Sequence, residues 1–87
     1  MAVSTIKKMT EMETVHREGT TNSGGNFYVG TDDGRKIVSA IATGTANRLF
    51  IPFKQGTTLY LKVLDWNSND YTPVINGSVA VEITFIR

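Results

Sequence analysis

Trp66 is the only tryptophan in the chain, and it sits in a run of hydrogen-bonding residues, Asp65-Trp-Asn-Ser-Asn-Asp70, with Tyr60 shortly before it and Tyr71 directly after. A rigid aromatic face with amide and carboxylate neighbours suits stacking on a sugar ring or anchoring a protein partner. Trp66, Tyr60, Tyr71, Asn67 and Asp70 are therefore the candidate ligand-binding residues. A lone tryptophan in a small β domain also serves as core or edge filler, and its exposure decides between the two uses.

The same run sets oxygen donors at alternate positions, Asp65, Asn67 and Asn69, as the first half of a calcium loop does. An EF-hand then needs a sharp-turn glycine at the sixth position and a bidentate glutamate at the twelfth, where this chain has Asp70 and Asn76. No metal or cofactor is expected. Structural zinc lacks ligands too, since there is no cysteine and His16 is the only histidine. Nucleophilic catalysis requires a Ser, Cys or Thr beside an oriented base. His16 reads as an exposed strand residue between Val15 and Arg17, and no G-x-S-x-G elbow presents a serine. Of the carboxylates, Asp33 is explained by its turn with Gly34 and Glu82 by the solvent face of a strand. Catalysis is not expected, and a hydrolase using Asp70 or Glu82 would need the two to converge in one pocket. Asn76-Gly77-Ser78 matches a glycosylation sequon, which its role as a turn explains.

These side chains must be positioned by one domain, because 87 residues fall below the on the order of 100 that a domain typically uses. A chain this short buries only about 60–65% of its unfolded surface. Without cysteine it has no disulfide to offset the deficit, which leaves good packing or oligomerisation. Nine basic residues against eight acidic ones give a net charge of +1, which argues against the dense cationic face that nucleic-acid binding uses. The longest run without a charge, 19–31, is polar and glycine-rich, and no stretch approaches the roughly 20 apolar residues of a membrane span. Residues 1–12 contain Lys7, Lys8 and Glu11 and no apolar signal-peptide core, so synthesis in a cytoplasm is expected.

From residue 14 onward, short alternating runs are cut by turn residues, which predicts an all-β fold, a small antiparallel sandwich of six or seven strands. In 78–87, Val79, Val81, Ile83 and Phe85 fall on one face and Ala80, Glu82, Thr84 and Ile86 on the other. In 58–64, Leu59, Leu61 and Val63 oppose Tyr60, Lys62 and Leu64. In 48–53, Leu49, Ile51 and Phe53 oppose Arg48, Phe50 and Pro52, and Pro52 predicts an edge. Residues 36–43 are rich in Val, Ile and Ala and should be buried on at least one face. Residues 14–21 and 26–29 read as the first two strands, joined by Asn22-Ser-Gly-Gly25. Residues 71–75 are expected to meet Ser78 across a type I′ hairpin turn at Asn76-Gly77, with Pro73 placing that arm at an edge. Residues 1–13 form a separate segment, one short helix or an extended stem, in which Ile6, Met9, Met12 and Val15 recur every three positions. The domain proper is 14–87.

The order of these pieces, Gly19-Thr-Thr-Asn-Ser-Gly-Gly-Asn26, Lys36-Ile-Val-Ser-Ala-Ile-Ala42, Thr58-Leu-Tyr-Leu-Lys-Val63 and Val79-Ala-Val-Glu-Ile-Thr-Phe-Ile86, resembles the C-terminal domains of bacteriophage tail-fibre and baseplate receptor-binding proteins. The resemblance covers about residues 14–87. It implies a jelly-roll-like sandwich that forms a homotrimer at a fibre tip, is assembled in the bacterial host cytoplasm and carried on the virion, and takes a bacterial-surface saccharide or protein as receptor. Neither nucleic acid nor membrane insertion enters that picture, and the resemblance supplies no binding residues. Such fibres carry a long shaft before the tip, whereas only about a dozen residues precede the first expected strand here. The alternative is a small carbohydrate-binding accessory sandwich of a bacterial protein, monomeric and calcium-bearing through Asp65, Asn67 and Asn69. Replacing Phe85→Asp is expected to unfold the chain or dissolve its oligomer, measured by circular dichroism and solution mass. A stable, soluble variant would mean that the wrong face of the last strand has been assigned to the core.

Overall fold

A computed structural model describes residues 11–44, 47–67 and 70–87. Seven strands follow in chain order: β1 (Met12–Thr20), β2 (Asn26–Thr31), β3 (Lys36–Ala42), β4 (Arg48–Gln55), β5 (Thr58–Asn67), β6 (Asp70–Pro73) and β7 (Ser78–Ile86). They form two antiparallel sheets. Sheet A has the order β1-β7-β3, and sheet B is β2-β5-β4 with β6 also paired to β5. The chain passes repeatedly from one sheet to the other, as jelly-roll-like sandwiches do. No helix among the described residues is long and apolar enough to cross a membrane.

The period-two pattern of the central strands builds the core. Val79, Val81, Ile83 and Phe85 of β7 face Leu59, Leu61 and Val63 of β5, with Phe27 and Val29 from β2, Phe50 from β4 and Val74 closing the cluster. Leu61, Val63, Val81 and Ile83 have no solvent exposure, and burying each contributes about 1.5–3 kcal/mol. Phe50, not Leu49, Ile51 or Phe53, is the inward aromatic of β4, because it pairs with the fully buried Val63. On β3, Ile37, Ala40 and Ala42 pack partly against the core, and a register shift between Ile37 and Ser39 leaves Val38 exposed.

The first strand begins earlier than the sequence suggests. Met12 pairs with Ile86 and Glu13 with Phe85, so β1 extends two residues into the segment 1–13 expected as a stem or helix. The choice between helix and stem for the rest of that segment falls on residues 1–10, outside the described residues. Sheet A continues to Thr20, and Thr21 then leaves the strand with its hydroxyl turned inward.

The expected hairpin at Asn76-Gly77 does not form. The strand β6 pairs with β5, not with β7, and β2 and β6 lie end to end along one side of β5. At their junction Val63 N–H donates to Gly25 O and Val74 N–H donates to Val63 O, each at 2.9 Å. Gly25 has φ +81, and a Cβ there would stand 3.0 Å from the Pro73 Cβ, so the junction admits no side chain. Residues 74–77 instead carry the chain from sheet B to sheet A. Asn76 has φ 49 and its N–H donates to Asn22 O, while Gly77 lies outside the left-handed region a type I′ turn requires of it. Turn-forming residues bend the chain, but β7 is flanked by β1 and β3, so no place beside it remains for β6.

Thr21 fastens that crossing. Its Oγ1 donates to Val74 O at 2.5 Å and accepts from Gly77 N–H at 3.0 Å, and the residue is only 3% exposed. Thr21→Val keeps the shape but leaves a buried donor and acceptor unsatisfied, which costs about 1–3 kcal/mol. Urea denaturation should show this as a lower midpoint with an unchanged slope, and equal midpoints would mean that the crossing is held by other contacts.

Candidate functional site

Trp66 and Tyr71 face each other across the β5–β6 ladder, which places both rings on the outward side of sheet B. Their centroids are 4.8 Å apart with the planes tilted by 50°. Trp66 is 42% and Tyr71 48% exposed, so this tryptophan is not core filler. The pair stands at the lip of an open cleft of about 600 Å³ between the β3 and β4 edges, whose floor includes Ala40, Ala42, Asn47 and Arg48. Trp66 N–H donates to Asn47 O, which fixes the tryptophan backbone against the strand opposite.

The polar neighbours are partly committed. Asn67 Nδ2 donates to Thr72 Oγ1 at 3.0 Å, and Asp70 Oδ1 accepts from Tyr71 N–H at 2.8 Å, which leaves its second oxygen free of any hydrogen bond among the described residues. Asp65 Oδ1 accepts from Arg48 Nε at 3.0 Å, and the same guanidinium donates to Ser78 O, tying sheet B to the start of β7. Asp65 is thus part of a structural link. Of the three residues of the calcium alternative, Asn69 lies outside the described residues.

Tyr60 is not part of this pair. It lies six residues earlier on β5, roughly 20 Å away at the rise of a strand. There it stacks on Phe53 (5.4 Å, 17°) and meets Tyr28 edge-on (6.1 Å, 76°). The five predicted residues therefore separate: Trp66 and Tyr71 share the outward face at one end of β5, Asn67 and Asp70 pair with each other on the next rung and turn to the opposite face, and Tyr60 lies at the other end. Sequence reasoning missed what joins them. Leu49, Ile51 and Phe53 of β4, Tyr28 of β2, and Leu64 of β5 all share the outward face of sheet B, and Lys62 is its only charged side chain among the described residues. Tyr28, Leu49, Ile51, Trp66 and Tyr71 are all large, apolar and exposed. The signal was present: β4 and β5 alternate apolar residues on both faces, and only one of those faces can meet the core.

The carboxylates considered for catalysis are far apart in the architecture. Asp70 lies at the end of sheet B, while Glu82 pairs with His16 and Ile41 in the middle of sheet A. His16 is exposed, and its Nε2 lies 2.7 Å from Glu18 Oε2.

At another part of the sandwich, the Arg35 guanidinium lies 4.1 Å over the Phe85 ring and pairs with Glu13 and Asp33, sheltering the core edge. In the adjoining turn, the Gly34 N–H first and then the Lys54 side chain hold the Asp32 carboxyl below the usual range. The Arg35 N–H and then its guanidinium do the same for Asp33. Depressed carboxylates stabilise the fold above their unfolded pKa, and that contribution is lost as pH falls through the folded value. The amide resonances of Gly34 and Arg35 should therefore titrate with midpoints below the ordinary aspartate value of about 3.9. Midpoints at or above it would contradict the hydrogen bonding of this turn. Comparison with family models, with curated proteins and with solved structures gave no match, so no family is assigned to the chain and the site is read from its geometry.

Proposed function

We propose that this domain is a non-catalytic binding module of the adhesin type, whose Trp66–Tyr71 pair stacks on a saccharide of a bacterial-surface receptor. The observation that carries the reading is the pair itself: two exposed rings in mutual contact on the outward face of sheet B. Aromatic faces cover the apolar side of a sugar ring. The apolar outward face of sheet B adjoins the pair and extends the surface a receptor can cover. Placement of Asp70 and Glu82 on different sheets supports binding over hydrolysis. The setting at a phage tail tip rests on the order of sequence segments described above. An accessory sugar-binding domain would use the same pair.

Trp66→Ala tests the site. Because the ring is half-exposed, the melting temperature should change little, whereas binding to a glycan array or to bacterial cells should fall by at least about 2 kcal/mol, the range of an interface hot spot. Unchanged binding would reject the site, and a large drop in melting temperature would mark Trp66 as a structural residue.

A further inference from the structure

A sandwich has open edges, and four of the five here are interrupted. The register of β2 shifts between Tyr28 and Gly30 and that of β3 between Ile37 and Ser39. The edge strand β4 contains Pro52, and β6 has four residues ending at Pro73. Bulges, prolines and shortness are the devices that stop an edge from pairing with another chain. By contrast, β1 runs nine residues without a proline or a register shift.

The pairing of β1 determines which of its backbone groups are free. Arg87 N–H donates to Glu11 O and Thr21 N–H to Gly77 O. In an antiparallel ladder alternate residues turn to the same neighbour, so the odd-numbered residues of β1 bond β7. Met12, Thr14, His16, Glu18 and Thr20 direct N–H and C=O to the other side, where no backbone hydrogen bond among the described residues meets them.

We propose that this edge pairs antiparallel with β1 of a second copy, joining the two three-stranded A sheets into one continuous sheet. The charges on β1 favour this occupant. Glu13 and Arg17 share the core-facing side of the strand, since they pair with the buried Phe85 and Val81. Inward charges repel a generic apolar strand. A two-fold alignment that sets Val15 across from Val15 also sets Thr14 across from His16, and it places Glu13 of each copy opposite Arg17 of the other, twice by symmetry. Opposite charges in direct cross-strand positions stabilise such a ladder. The outward face of one copy then continues that of the other, which leaves both B sheets on one side and both Trp66–Tyr71 lips facing the same way. Two sites presented together raise avidity for a repetitive surface. The pairing itself does not depend on what those lips bind.

Solution mass by light scattering, with three variants of the full chain, tests the pairing. The native protein should show twice the 9.6 kDa chain mass. His16→Pro removes one outward N–H without touching the β7 ladder, and it should give a single-chain mass with an unchanged β spectrum. The chain has no cysteine, so the register can be trapped directly. In that alignment the two Val15 Cα atoms form a non-hydrogen-bonded pair about 4.5 Å apart, within disulfide reach. Oxidised Val15→Cys should become a covalent dimer while Thr20→Cys does not. A single-chain or threefold native mass, a dimer that His16→Pro leaves intact, or a Val15→Cys that fails to cross-link would overturn the proposal.

Discussion

Burial of one face of β5 against one face of β7 is the constraint on which the rest of this structure depends. Leu61 and Val63 on one strand and Val81 and Ile83 on the other lose all contact with solvent, and each strand is the middle of its sheet. Once these two strands are set face to face, every neighbour must bring its own apolar side chains inward at the same level. Phe27 and Phe50 do so at Leu61 and Val63, and Val15 and Ala40 do so at Ile83. A core this small has little surplus, so its margins are closed by polar side chains that reach across. Arg17 donates to Val29 O, Arg35 covers Phe85, Arg48 links Asp65 to Ser78, and Thr21 holds the crossing into β7.

The binding surface is a by-product of the same alternation. Strands whose inward residues are Leu59, Leu61 and Val63 must show Tyr60, Lys62, Leu64 and Trp66 to the outside, and in β5 that second row is itself largely apolar. Because β4 repeats the arrangement with Leu49, Ile51 and Phe53, sheet B has two apolar faces and only one core. Sheet A differs. Its outward row on β7 is Ser78, Ala80, Glu82, Thr84 and Ile86, flanked on β1 by Met12, Thr14, His16 and Glu18 and on β3 by Ile41, a mixed surface in which the exposed Met12 and Ile41 stand among polar side chains. This asymmetry between the sheets sends the reading of function to the outside of sheet B and the reading of assembly to the edge of sheet A.

Much of this was legible in the residues. The alternation in 58–64 and 78–87 identified both strands and, for 78–87, the buried face, the prolines pointed to edges for β4 and β6, and the aromatics with polar neighbours singled out Trp66 and Tyr71 along with Tyr60. What the residues did not disclose concerns pairing over distance. Asn76-Gly77 has the composition of a hairpin turn, yet the strand before it bonds β5 and the strand after it bonds β1 and β3. The partners of Thr21 lie more than fifty residues away, and no local pattern marks such a hydroxyl as a fastening.

By itself, then, the sequence determined the strand content and the period-two sidedness of the central strands, because these depend on side-chain alternation within a few residues, while the exposure of Trp66 and Tyr71 was settled by the packing. The tertiary structure alone decided which strands share a sheet, that Tyr60 joins Tyr28 and Phe53 instead of Trp66, and that β1 has an uninterrupted edge that pairs with no other strand among the described residues. Those outcomes follow from competition among strands for a limited number of places beside β5 and β7, and that competition is settled by the packing of the whole chain.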